Sequence, residues 1–245
     1  MSSRLLVLGF AVLACAGLLR AQVEQEPQIA DTDTSPYHVA LLNYKAGKFQ
    51  EALDALNANG ASPPQDTKTV ILKSRILTEL KQYDEGEKLL RTALAGPDVI
   101  EVQTALGDLL LHKRSFARAA KYYEAVQAAK PNDPDVTLKL VYAKVGANDL
   151  IGAGQLASQL TPLNPKNPYD DHASYYFAKA ALAQATGNTQ AADDDIQNAR
   201  TVYGITVTNR YLKTYLEIFS SSDKTPSSDI TPPPLVKPTP ANSKP

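Results

Sequence analysis

Between Ser35 and Tyr203, apolar residues recur three or four positions apart in segments of about a dozen residues. Each segment ends at a glycine, a proline or a short polar stretch. This period is typical of amphipathic helices, so the pattern predicts short helices joined by tight turns. Two helices of this length cannot bury their apolar faces alone. The pattern therefore predicts helical pairs that stack on one another.

A short motif returns at nearly constant spacing along this region. Phe49-Gln50-Glu51-Ala52 is followed by four further copies, which are Tyr83 to Gly86, Phe116 to Ala119, Leu150 to Ala153 and a weaker one, Thr189 to Ala192. The small residues at the end of each copy lie at 52, 86, 119, 153 and 192, so the steps are 34, 33, 34 and 39. We assign the longer last step to an extended loop at Pro168–His172. A fixed period of this length indicates a repeat architecture.

Three other positions keep the same register. Four residues after the small one, the positions are mostly bulky: Leu56, Leu90, Tyr123, Ala157 and Ile196. Five residues before it, residues that suit a turn are found: Gly47, Lys81, Arg114, Asn148 and Gly187. Twelve before it, four of five are small: Ala40, Ser74, Gly107, Val141 and Ala180. Small side chains let two helices approach closely, and the bulky residue one turn later fills the space between adjacent pairs.

These motifs resemble the tetratricopeptide repeat (TPR) family over about residues 33–206. Leu106-Gly107-x-x-Leu110 is similar to the first half of its signature, and Ala119-x-x-x-Tyr123 followed by Pro131 is similar to the second half. The resemblance implies an all-α fold, an α-solenoid of about five TPR-like helical hairpins. It also implies that the first helix of each pair lines a concave groove in which a partner binds.

The last apolar segment lies just after the fifth repeat. Between Val207 and Phe219, Tyr211, Tyr215 and Phe219 share one helical face. This face predicts a C-terminal capping helix, because the last repeat of a solenoid otherwise exposes a core-like surface. The competing interpretation is that Tyr211 and Tyr215 line a binding surface. We therefore assign residues 33–219 to the solenoid with its cap, and the proline-rich residues 220–245 to a disordered tail.

The N-terminus has the pattern of an export signal. One positive charge at Arg4 precedes fifteen uncharged, mostly apolar residues, and Ala21 stands at the predicted cleavage site. We assign residues 1–21 to a signal peptide and residues 22–32 to a polar leader. Cys15 offers an alternative, because Val12 to Cys15 loosely resembles the lipidation motif of bacterial lipoproteins. The chain is thus expected to be exported, either periplasmic or secreted, or else anchored in the outer membrane through Cys15.

Composition argues against several function classes. Lys and Arg number 25 against 26 Asp and Glu, so no excess of positive charge favours nucleic acid. The lone cysteine excludes an internal disulfide framework. His38, His112 and His172 are far apart, and the carboxylates of Asp193 to Asp195 diverge around a helix. We therefore predict no catalytic residue, no metal, no cofactor and no small-molecule substrate.

The predicted function is that of a non-catalytic scaffold or adaptor of the bacterial cell envelope. Its partner is expected to be another protein or peptide segment, and a membrane only if Cys15 is lipidated. Tyrosine and arginine are enriched where binding energy concentrates at interfaces. In the register above, the predicted partner-binding residues of the groove are Tyr37, Tyr44, Arg75, Asp108 and Tyr142. The alternative function is a lipid-anchored component of outer-membrane assembly.

Overall fold

A computed structural model of the chain describes residues 33–58, 66–162 and 172–219. Regular structure within these ranges is helical throughout, as the sequence predicts. The helices are α1 (Pro36–Lys45), α2 (Phe49–Asn57), α3 (Thr67–Glu79), α4 (Tyr83–Ala93), α5 (Val99–His112), α6 (Phe116–Ala129), α7 (Pro134–Gly146), α8 (Leu150–Ala157), α9 (Ser174–Ala185) and α10 (Thr189–Phe219).

The helices form five consecutive hairpins. Helices α1 and α2, α3 and α4, α5 and α6, and α7 and α8 pack in pairs, and α9 pairs with α10. Each hairpin also contacts the next one along the chain. Chain contacts group these helices into one unit that begins at Ser35. The predicted α-solenoid of about five hairpins is confirmed.

A left-handed residue ends the first helix of every hairpin. The five φ angles are 74° at Gly47, 60° at Lys81, 62° at Arg114, 63° at Asn148 and 80° at Gly187. At the second of these turns, the amide of Lys81 donates to the carbonyl of Thr78 at 3.0 Å, and the amide of Gln82 donates to the carbonyl of Leu77 at 2.8 Å. Hydrogen bonds of this kind satisfy the last carbonyls of the helix. The positions assigned to turns by the repeat register are therefore the helix caps.

The non-glycine caps store strain that a substitution should release. Residues with a Cβ atom are disfavoured in the left-handed region, and glycine is not. We expect Lys81→Gly to raise the free energy of unfolding by about 0.5 kcal/mol, because glycine's greater freedom in the unfolded chain offsets part of the relief. Lys88→Gly is the matched control, since Lys88 is exposed in the middle of α4 and glycine in a helix interior should lower stability by about 1 kcal/mol. Urea denaturation of both variants checks the opposite signs, and a loss of stability in Lys81→Gly would contradict the cap assignment.

The small residues of the register lie where the helices cross. Ala52, Ala119 and Ala153 are 0% exposed, and Ala192 is 1% exposed. A Cβ atom added to Gly86 would lie 2.7 Å from Cδ1 of Leu109 in the next hairpin. A Cβ atom on Gly107 would lie 2.6 Å from the ring of Tyr123. Close helix contacts thus require small side chains here, which confirms the predicted register.

The first helices of the hairpins form the inner face of the stack. Helix α3 contacts α1 and α5, and α7 contacts α5 and α9. In the described ranges, the backbones of α2 and α4, and those of α4 and α6, do not approach one another in this way, although Glu87 of α4 pairs with Arg118 of α6. The stack therefore curves toward the first helices. We call the face formed by α1, α3, α5, α7 and α9 the groove.

Helix α10 is broken at Gly204, which has a φ of 76° and a ψ of 170°. Only glycine adopts this conformation readily. The first part, residues 189–203, is the second helix of the fifth hairpin. The second part, residues 205–219, turns back and packs against α9, as a capping helix should. We call residues 205–219 the C-terminal arm.

Several predictions concern residues outside the described ranges. These are the signal peptide with Cys15 at 1–21, the leader at 22–32, most of the predicted loop at Pro168–His172 and the tail at 220–245. They stay predictions. Among the described residues, no helix is both long enough and apolar enough to cross a bilayer.

Candidate partner-binding groove

Three of the five predicted binding residues surround one cavity in the groove. Tyr44 of α1, Arg75 of α3 and Asp108 of α5 line this space of about 140 Å³. The same cavity is bordered by Lys139 of α7 and by Thr214 of the C-terminal arm. Arg75 and Asp108 occupy the same register position, eleven residues before Gly86 and Ala119, and Tyr44 and Lys139 lie within about one helical turn of it. We call this region the open section of the groove.

Asp108 is the acidic centre of the open section. Its Oδ1 accepts a hydrogen bond from the hydroxyl of Tyr123 at 2.7 Å and lies 2.7 Å from Nζ of Lys139. Burial alone would raise the pKa of this carboxyl group. The charge and hydrogen bond of Lys139, the hydrogen bond of Tyr123 and the charge of Arg75 together outweigh the effect of burial, so the pKa of Asp108 lies below its usual value. Asp108 is therefore charged and already paired at neutral pH.

Arg75 differs from the other charged residues of this cavity. Glu79 pairs with Lys213 at 2.6 Å, His112 faces Glu217 at 3.2 Å, and Asp108 pairs with Lys139. Within the part of the chain that the structure describes, Arg75 is exposed and has no ion pair. A guanidinium group donates in a planar fork that suits a carboxylate. Arg75 is thus available to bind an acidic group from outside the chain.

Tyr44 and Tyr37 lie at the N-terminal end of the groove. Tyr44 is half-buried, and its ring is 5.7 Å from the ring of Phe49. Burial and the nearby charge of Glu79 raise the pKa of its hydroxyl, so Tyr44 is a neutral hydrogen-bonding group. Tyr37 is also half-buried against the core of the first two hairpins, but it does not line the cavity. The two tyrosines therefore belong to the same helix but not to the same site.

Tyr142 was predicted to bind a partner, which requires an exposed side chain, but it is buried. Its side chain is 1% exposed, because the C-terminal arm covers it. The ring of Phe219 lies 5.3 Å from the ring of Tyr142, edge to face, and the ring of Tyr215 lies 6.5 Å away. Tyr142 is on the groove side of α7 as predicted. It contacts the chain's own C-terminal arm and is not open to a partner in this structure.

The C-terminal arm crosses four first helices. It contacts α9 through Phe177, whose ring stacks on that of Tyr211 at 5.5 Å, and α7 through Tyr142. Further along, Glu217 meets His112 of α5, and Lys213 meets Glu79 of α3. The cap therefore also fills part of the groove. The structure divides the groove into an open section near α1, α3 and α5 and a covered section near α7 and α9.

The arrangement of hairpins is shared with solved structures. TTC0263, a thermophilic TPR protein of Thermus thermophilus, aligns with a TM-score of 0.57 and 16% identity over 74% of this chain and 97% of that one. TPR-like repeats assigned to a kinesin light chain of Podospora anserina align with a TM-score of 0.52 and 19% identity, over 69% of this chain and 92% of theirs. The chain has a tetratricopeptide repeat fold.

Sequence comparison gives a shorter match of the same kind. Anaphase-promoting complex subunit 7 of Mus musculus is 30% identical over 84 residues, which is 34% of this chain. The matched region spans only 15% of the length of that mouse protein. No protein-family model matches the chain. The tetratricopeptide repeat assignment thus rests on the fold and on the register of the repeats.

Sequence reasoning missed the polar residues that hold the C-terminal arm in the tetratricopeptide repeat groove. They are Glu79, His112, Arg114 and Lys213. The guanidinium group of Arg114 donates to the carbonyl of Ile218 at 2.9 Å, so it caps the end of the arm. The one available signal was the glycine at 204, which breaks the helix where a reversal is needed. The charges themselves do not differ from those of ordinary solvent-facing positions.

The other charged clusters have structural partners. Asp193 and Asp194 are exposed, whereas Asp195 is buried and lies 2.9 Å from Nζ of Lys179, so the three carboxylates do not converge. Over the described residues, no group of three or more His, Cys, Asp and Glu side chains converges as metal ligands would. In the described part of the fold, the open section of the groove thus combines an exposed surface with a charged group, Arg75, that has no ion pair.

Proposed function

We propose that the protein is a non-catalytic interaction scaffold that binds a segment of another protein in the open section of the groove. The observation that carries this proposal is the exposed guanidinium group of Arg75. It stands beside the half-buried ring of Tyr44, on a surface whose other charges already have partners. Arginine and tyrosine supply much of the energy at protein interfaces.

The chemistry of the open section selects the partner. An acidic side chain or a chain terminus of the partner pairs with Arg75, and an apolar neighbour packs on the ring of Tyr44. The hydroxyl of Tyr44 supplies a further hydrogen bond. Pairing at an exposed arginine favours fast and specific association, and it weakens as salt screens the charges. The proposed partner is therefore an acidic protein segment.

The cellular setting is part of the same proposal. The apolar N-terminal segment supports export, so the partner is a protein of the bacterial cell envelope. Cleavage after Ala21 leaves a periplasmic or secreted chain, whereas lipidation of Cys15 anchors the scaffold to the outer membrane. Mass spectrometry of the mature N-terminus distinguishes the two. A chain that begins at Gln22 supports the first, and an acylated Cys15 supports the second.

Reversal of the charge of Arg75 should strongly weaken binding of the partner in the open section. We expect Arg75→Glu to reduce recovery of the partner from an envelope extract at least about tenfold, because the new carboxylate repels the acidic segment. Recovery by the wild-type chain should fall as salt is raised from low to high concentration. Quantitative mass spectrometry of proteins bound to the immobilised chain measures both effects.

Lys121→Glu is the matched control for this experiment. Lys121 is an exposed lysine on α6, the second helix of its hairpin, so it lies outside the groove. Its reversal changes the net charge by the same amount as that of Arg75. Equal recovery of the same proteins by Arg75→Glu and Lys121→Glu would contradict binding in the open section.

A further inference from the structure

The covered section of the groove holds a helix in the manner of a bound ligand. Tyr211, Tyr215 and Phe219 recur every four residues, so they form one aromatic face along the C-terminal arm. Phe177 packs between the rings of Tyr211 and Tyr215, at 5.5 and 5.9 Å, and Tyr142 packs against Phe219. Helix-in-groove recognition uses anchors of this spacing.

Polar contacts at both ends fix the direction of the arm. The hydroxyl of Tyr211 donates to Oδ1 of Asp135 at 2.7 Å, at the beginning of α7. At the other end, Arg114 holds the carbonyl of Ile218. In between, Lys213 reaches Glu79 although 58% of its side chain is exposed. The covered section thus binds an amphipathic helix through the aromatic face of that helix and through one flanking basic residue, Lys213.

One group beneath the arm is left unsatisfied. The hydroxyl of Tyr142 is fully buried and has no hydrogen-bond partner among the described residues. A buried hydroxyl without a partner is unfavourable, since it has exchanged water for an apolar contact. The arm is therefore not the best possible occupant. A helix that carries a hydrogen-bond acceptor opposite Tyr142 would bind this surface better.

The connection to the arm consists of one residue in a special conformation. Gly204 has room for a side chain, because a Cβ atom there would meet nothing within 4 Å. Its φ of 76° and ψ of 170° nevertheless exclude other residues. If residue 204 became helical, residues 189–219 would form one straight helix and the arm would leave the groove. The break at Gly204 is thus what places the arm on its site.

We propose that the covered section is a second binding site, for an amphipathic helix of another protein with aromatic residues at i, i+4 and i+8, and that the C-terminal arm is its resident competitor. This inference deepens the proposed scaffold function and rests on it. A partner helix binds Tyr142 and Phe177 after the arm swings out at Gly204. Its apparent affinity is lowered by the fraction of chains in which the arm is docked.

The test uses the full chain and a labelled peptide with the sequence of residues 205–219. Gly204→Ala favours the straight helix, so the arm undocks more often and the peptide gains access to the groove. We expect the peptide to bind Gly204→Ala at least about tenfold more tightly than the wild-type chain, as measured by fluorescence anisotropy. A peptide carrying Tyr215→Ala should bind at least about tenfold more weakly, because it loses its central anchor.

Gly154→Ala is the matched control. Gly154 lies inside α8, and a Cβ atom there would also meet nothing within 4 Å. The same substitution at Gly154 does not change the conformation at Gly204, so the affinity for the peptide should stay within about twofold of wild type. A second variant, Lys213→Glu, removes the contact with Glu79 without changing Gly204. It should strengthen peptide binding about threefold, as expected for the loss of an exposed ion pair, whereas Lys121→Glu should not.

Each remaining outcome overturns the proposal. Equal affinity of the peptide for wild type and Gly204→Ala would show that the arm does not compete for the site. No binding to any variant would show that the arm is only a cap. A dimer of Gly204→Ala in light scattering would assign the site to the arm of a second copy. Failure here does not remove the open section, because Tyr44, Arg75 and Asp108 lie on α1, α3 and α5 and not on the arm. Recovery of the partner by wild type and by Arg75→Glu tests that section separately.

Discussion

Phe177→Ala is expected to lower the free energy of unfolding by about 3–5 kcal/mol. The side chain of Phe177 is 0% exposed, and it supports both Tyr211 and Tyr215 of the C-terminal arm. Its removal creates a cavity between α9 and the arm and also ends two aromatic contacts, which add to the energy of burial. For a chain of this size, the melting temperature should fall by about 6–20 °C.

Phe177→Leu is the control for the cavity. Leucine restores most of the lost volume, so less than half of the destabilisation should remain. Differential scanning calorimetry of the two variants and the wild type measures the comparison. If alanine and leucine gave the same small loss, the packing of the arm on α9 described above would be wrong. The experiment thus tests the packing on which the covered section depends without involving a partner.

Glu87→Gln is expected to lower the free energy of unfolding by about 3 kcal/mol at pH 7. Glu87 of α4 is buried, and its carboxylate binds the guanidinium group of Arg118 in the next hairpin. It also lies 2.5 Å from Arg91 and 3.3 Å from Lys113. Loss of the negative charge leaves these cations facing one another at the junction of α4 and α6. The effect should exceed that of any surface ion pair.

The dependence of this effect on pH follows from the pKa of Glu87. Burial alone would raise the pKa, but the hydrogen bond and charge of Arg118, with the charges of Arg91 and Lys113, hold it below its usual value. The stabilisation is complete above the pKa of the unfolded chain, about 4.3, and is lost as the pH falls through the lower pKa of the folded chain. The difference in the free energy of unfolding between wild type and Glu87→Gln should therefore become smaller below about pH 4.

Glu101→Gln provides the comparison for a solvent-exposed pair. Glu101 lies 3.5 Å from Lys130, and about half of each side chain is exposed. Its substitution should change stability by less than about 1 kcal/mol at any pH. Guanidinium chloride would screen these charges, so urea denaturation at several pH values is the measurement. If the loss of stability in Glu87→Gln stayed constant from neutral to strongly acidic pH, the role assigned to the charge of Glu87 would be contradicted.

The repeat register was accessible from the chain alone because it depends on local chemistry. Ala52, Gly86 and Ala119 mark the helix crossings, since a close approach of two backbones tolerates no larger side chain. The caps at Gly47, Lys81 and Arg114 follow the same period, although Lys81 and Arg114 carry no chemical sign of a left-handed turn. At these two positions the period predicted a turn, and the structure shows that the turn is left-handed.

The candidate site was only partly predictable. Tyr44, Arg75 and Asp108 were expected on the inner face, and they do share a cavity. Tyr142 follows the same rule of position, yet it is buried. Position in a repeat indicates which face a residue occupies. It does not indicate whether another part of the chain covers that face.

The amino-acid sequence by itself determined the helices, their pairing, the five-hairpin stack and the place where the last helix breaks. Each of these depends on contacts between residues at fixed, short separations. Only the tertiary structure decided that the arm lies across α9, α7, α5 and α3 and fills part of the groove. That choice depends on contacts such as Lys213 with Glu79, which are far apart in the chain. An aromatic face fits a core, a cap or a partner equally well until the fold presents the surface against which it packs.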